Sequence, residues 1–74
     1  MTVKTEIQKE CQRIGLNILI RRRELNMTQN DLAEISGISR GHISSIERGR
    51  SNFKVEVLFS IAKALKVDYQ ELLK

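Results

Sequence analysis

Seventy-four residues, with 13 Lys and Arg against nine Asp and Glu and a formal charge of +4, describe a chain sized for one domain (1–74) and biased toward polyanionic partners. A single cysteine, Cys11, and a single histidine, His42, exclude an internal disulfide and a structural zinc site of four Cys or His ligands, so ordinary hydrophobic packing must form the core and no metal or other cofactor is expected. Met1 to Glu10 is too polar for a secretory signal and no segment approaches the roughly 18 apolar residues of a membrane span, which predicts a cytoplasmic protein with no membrane partner.

A chain this short buries only about 60% of the surface its unfolded form exposes, and a second subunit is the simplest supplement to so small a core. Apolar residues recur at three- and four-residue intervals almost throughout, without proline or low-complexity sequence, which predicts an all-α fold. The first helix is expected over about 5–25: Thr5 and Gln8 have capping-box spacing, Ile7, Cys11, Ile14, Ile18 and Leu25 share one face, and Asn26 can stop it. Leu16, Leu19 and Ile20 fall off that face, either as a partner surface or covered by another part of the chain.

Thr28 is placed to cap a short second helix, 29–36, with Asp31 against its positive end, Leu32, Ala33 and Ile35 apolar, and Gly37 as its stop. Ser39 caps a third helix, 40–48, whose large apolar side chains are Ile43 and Ile46, and Gly49 ends it. After Arg50-Ser51-Asn52, a fourth helix, 55–65, carries Val55, Leu58, Phe59, Ala62 and Leu65 at core spacing. Asp68 and Glu71 have capping-box spacing at the head of a last helix, 69–73.

The second and third helices are joined by Gly37-Ile38-Ser39, too short a link for antiparallel packing and suited to the crossing of about 90–120° of a helix-turn-helix. Ala33 allows close approach, Gly37 can adopt a left-handed conformation, and Ile38, Ile43 and Ile46 anchor the unit to the core. The runs Met27-Thr28-Gln29-Asn30-Asp31-Leu32-Ala33, Gly37-Ile38-Ser39-Arg40 and Ile43-Ser44-Ser45-Ile46-Glu47-Arg48-Gly49 resemble the Cro and phage-repressor (XRE-like) helix-turn-helix family, as does the trailing Ile61-Ala62-Lys63-Ala64-Leu65. The likeness runs from about Ile14 to Leu73 and implies a five-helix, lambda-repressor-like domain that binds double-stranded DNA. Two residues depart from the pattern: Phe53 stands where proline is common and Lys54 where Ser or Thr often caps the fourth helix.

With Ile43 and Ile46 inward, Arg40, Ser44 and Arg48 form an outward stripe flanked by Gly41 and Ser45, the face that enters the major groove in this family. Arg40 is the expected base reader, because its fork can donate to guanine O6 and N7; Ser44 and Ser45 have short hydroxyls for base contacts, and Gly41 permits close approach. The resemblance assigns phosphate contacts to Thr28 and Gln29, where helix N–H groups attract an anion, and Ser39, His42, Arg48, Arg50 and Asn52 complete the backbone-contact set. It also implies that Arg22 pairs with Glu47 and can present its guanidinium to phosphate. Arg21 to Arg23 can equally form a solvated helix face, and Ser44, Ser45 and His42 can be plain surface residues, whereas Cys11 reads as core packing.

A homodimer on a pseudo-palindromic operator is expected, with Tyr69, Leu72, Leu73 and neighbours on the fourth helix as its interface and no small-molecule effector. A phage repressor, a restriction–modification controller and a toxin-linked antitoxin all fit, and the competing class is a module that uses the same fold to bind a protein partner. Catalysis is not expected, since the chain has no glycine-rich phosphate loop, no His-Glu-x-x-His pair and one histidine.

Overall fold

The computed structural model describes residues 2–74, which form five helices: α1 (Val3–Glu24), α2 (Gln29–Ser36), α3 (Arg40–Glu47), α4 (Val55–Ala64) and α5 (Tyr69–Leu72). Helix α1 lies against α3 and α5, α2 against α3 and α4, and α4 against α5, so the helix-turn-helix pair is gripped from both sides.

Helix α1 starts two residues earlier than the sequence predicts. Thr2, not Thr5, is the N-cap; its hydroxyl accepts the Thr5 N–H at 3.3 Å. The first turns of α1 are exposed, which corrects the assignment of Ile7 to the core, since Ile7 is 49% accessible and burial begins only at Ile14. At the next residue, α3 crosses so closely that a Cβ on Gly15 would stand 2.2 Å from the Ile46 carbonyl oxygen. Any side chain at this position must therefore push the two helices apart. Asn26, in the left-handed region at φ 57°, turns the chain out of α1 as expected.

The core contains Ile14, Ile18, Leu32, Ile43, Ile46, Leu58, Ile61, Ala62, Ala64, Leu65 and Leu72, with Ile38 packed against it. The inward face of α4 is centred on Ile61 rather than Phe59. Val55 and Phe59 are consequently exposed, at 63% and 47%, and Phe59 instead meets Tyr69 edge-on with ring centroids 4.6 Å apart.

Helix α5 is held by its ends. The Asp68 carboxylate accepts the Gln70 N–H at 2.9 Å, so the capping partner is Gln70 where the spacing had favoured Glu71. Polar side chains of α1 reach back to carbonyls near the ends of α4 and α5, Arg21 Nε donating to Leu65 O at 3.2 Å and Asn17 Nδ2 to Leu72 O at 3.0 Å. These donors satisfy groups a helix end leaves without intrahelical partners. Leu72 itself is 2% accessible and belongs to the core of its own chain, which corrects its assignment to a dimer interface; Leu73, its neighbour, faces solvent.

Candidate nucleic-acid interface

Both short helices here are capped at their N-termini by side chains. Thr28 and Asp31 form a reciprocal capping box: Asp31 N–H donates to the Thr28 hydroxyl at 3.0 Å, and Thr28 N–H donates to the Asp31 carboxylate at 2.9 Å. The hydrogen bonds from the Thr28 backbone, then from its side chain, hold the Asp31 carboxyl below the usual carboxylate range. Gly37 ends α2 in the left-handed region at φ 76°, a conformation that favours glycine although no neighbour crowds it. Ser39 then caps α3 through the His42 N–H at 3.2 Å.

Ile43 and Ile46 are fully buried, as the sequence predicts, and they fix the rotation of α3. Arg40, Gly41, Ser44, Ser45 and Arg48 then lie on its outward side, where Arg40, Gly41 and Arg48 are exposed and the two serines half-buried. His42 is half-buried beside them. A Cβ on Gly41 would meet nothing within 4 Å, so the absence of a side chain there serves no contact inside the molecule. Gly49, at φ 70° and against Gln12, carries the chain past α1 into the loop with Arg50 and Asn52. Both of those residues are exposed, and Asn52 Oδ1 accepts from Cys11 Sγ at 3.5 Å; the thiol is half-buried and lies outside the core cluster, which corrects its assignment to core packing.

Behind this surface sits a polar strut. Arg22 Nε and Nη2 donate to the two Glu47 carboxylate oxygens at 2.7 and 3.0 Å, and Arg22 Nη1 donates to Met27 O at 2.8 Å. Both charged side chains are buried, and donating to Glu47 raises the Arg22 pKa above its ordinary value despite the opposing effect of burial. The Arg22–Glu47 pair expected from the sequence is therefore present. Its guanidinium is turned into the molecule, however, so the expectation that Arg22 presents it to phosphate finds no geometric support.

Two features escaped the sequence reasoning. Gln29 Nε2 donates to Glu47 Oε1 at 3.0 Å, joining the start of α2 to the end of α3, and no sequence signal announces a contact across that separation. Gly15 did carry a signal, because an isolated glycine within a helical apolar pattern marks a close backbone approach.

A capped helix-turn-helix with a polar, cationic outer face defines a class, and most of the chain matches it. A sequence model of the helix-turn-helix family (HTH_3) matches residues 18–72, and the chain belongs to that family. It is 42% identical over 59 residues to the uncharacterized HTH-type transcriptional regulator y4dJ of Sinorhizobium fredii, an alignment spanning 80% of this chain and 77% of that protein. Its fold is similar to that of the restriction–modification controller protein C.AhdI from Aeromonas hydrophila, with a TM-score of 0.84, 26% identity and coverage of 86% of this chain and 97% of that one. It is also similar to the controller protein C.Esp1396I, solved as a tetramer in complex with its natural 35 base-pair operator, with a TM-score of 0.76, 35% identity and coverage of 86% and 95%.

Proposed function

We propose that the chain is a DNA-binding transcriptional regulator that grips a pseudo-palindromic operator as a homodimer, with α3 of each subunit in the major groove. The observation that carries this reading is the orientation of α3: two isoleucines at 0% accessibility pin one side, and Arg40, Ser44, Ser45 and Arg48 occupy the other. Arg40 lies in the first turn, where this docking brings side chains to base edges, and is assigned the bidentate contact to guanine. Ser44 and Ser45 are assigned the neighbouring bases, with Gly41 allowing close approach.

Thr28, Gln29, Ser39, His42, Arg48, Arg50 and Asn52 are assigned to the phosphate backbone. Gln29 has two links to that task, its place at the N-terminus of α2 and its bond to Glu47, which ties phosphate contact to the pose of the reading helix. Arg22 is assigned a structural part only.

Tyr69 and Leu73, together with Phe59 and Val55 on α4, are the proposed dimer surface, replacing the set that included Leu72. The likeness to controller proteins, one of them assembled as a tetramer on operator DNA, supports both the duplex partner and self-association. A cytoplasmic location and the absence of catalysis are part of the same proposal.

Titrating a duplex with the protein at rising salt tests the reading. Six or more phosphate contacts per dimer predict an affinity that falls by about 10³ or more between 50 and 200 mM salt. An affinity indifferent to salt favours an apolar protein partner and contradicts the proposal.

A further inference from the structure

Arg48, the residue that closes α3, folds back one turn onto Ser44. Its backbone N–H donates to Ser44 O at 3.1 Å, its Nε–H to the same carbonyl at 3.4 Å, and its Nη2 to the Ser44 hydroxyl at 2.9 Å. A serine hydroxyl has one proton to donate and two lone pairs to accept with. One of those lone pairs is filled by a cationic donor. The proton, by contrast, has no acceptor among the described residues. Ser60 on α4 shows the alternative, since its hydroxyl donates to the Glu56 carbonyl, four residues back, at 3.0 Å.

We infer that Arg48 is a positioning residue that fixes Ser44 as a hydrogen-bond donor toward the groove, so that the base beneath Ser44 is selected for an acceptor edge and cytosine is rejected there. The inference rests on α3 lying in the major groove and adds a rule of specificity to that reading. Guanine presents N7 and O6, adenine N7 and thymine O4, all of which accept a hydrogen bond; cytosine presents only its N4 amino donor. An unsupported serine tolerates either kind of edge by rotating its hydroxyl. With a guanidinium 2.9 Å away, the oxygen becomes a poorer acceptor and its proton a better donor, and an approaching amino group also meets the cation. Arg48 is exposed, so removing its head group leaves the core untouched.

The test is a panel of duplexes, an operator selected from random DNA together with all its single-base substitutions, bound at one salt concentration by the wild type, S44A, R48M and S44A/R48M. The wild type is expected to disfavour cytosine by about tenfold at one position of each half-site, within the ordinary cost of one mismatched pair. S44A and R48M each bring that ratio close to one at the same position, the double variant goes no further, and the preference set by Arg40 persists in all three. A uniform loss of affinity in R48M with the cytosine ratio unchanged overturns the inference, as does an S44A profile identical to the wild type. A wild type that binds every duplex alike contradicts the groove reading itself, which separates the two failures.

Discussion

The two ends of this molecule treat their surfaces in opposite ways. In the α2–α3 unit the large isoleucines of α3 are hidden, both N-termini are capped by side chains, and arginines and serines line the outer side of α3, although Ile35 on α2 is left exposed. At the α4–α5 end, the N-cap of helix α4, Lys54, makes no side-chain cap, and Val55, Phe59 and Leu73 remain exposed after the core is complete. A polar, cationic face suits a polyanion, whereas exposed apolar side chains suit another protein surface. The proposed division of labour, DNA at one end and a second subunit at the other, rests on that contrast.

The sharpest way to break the polar end is to attack the strut beneath it. Arg22→Met leaves the Glu47 carboxylate buried without its partner and is expected to lower stability by about 3–5 kcal/mol, read as a drop in the urea midpoint. Arg22→Met combined with Glu47→Leu removes both charges and is expected to recover most of that loss. A double variant as unstable as the single one would show that the pair does more than satisfy itself.

At the apolar end, Phe59→Asp places a charge in the proposed subunit contact while sparing the core, because Phe59 is 47% accessible. Sedimentation is expected to show the dimer weakened at least tenfold, about 1.4 kcal/mol, with the helical content unchanged. An unaltered dimer would move the interface elsewhere, the exposed Leu16 and Ile20 of α1 being the next surface to probe.

The smallest effect concerns the cap of α2. The Asp31 carboxyl sits below its ordinary value in the folded chain, so its stabilising contribution is full above the unfolded pKa and is lost as pH falls through the lowered folded pKa. Urea midpoints of the wild type and Asp31→Ala should therefore differ near neutral pH and converge in acid below the carboxylate range. A gap that persists there would assign the effect to something other than the charged cap.

Much of this was legible because short-range signals are strong at the helix-turn-helix. Thr28, Ser39, Gly37 and Gly49 each carry a local conformational preference, so α2 was placed at its observed bounds and α3 to within a residue. The start of α1 was ambiguous because Thr2 and Thr5 can both cap, and the earlier one does. Periodicity could not choose between Leu72 and Leu73 on a helix of four residues, and only packing against the rest of the chain separates them. The Gln29–Glu47–Arg22 network depends on three segments meeting in space; the sequence supplied one of its links by resemblance and none of its geometry.

The central claim is that the outward side of α3 reads DNA bases, with Arg40 as principal reader. Selection of bound sites from random duplexes, performed in parallel with the wild type and Arg40→Ala, tests it most directly. A two-fold symmetric consensus for the wild type is predicted, with a guanine in each half-site whose preference disappears in Arg40→Ala at a cost of about 1–3 kcal/mol at the wild-type site. The same consensus from both proteins would contradict the assignment.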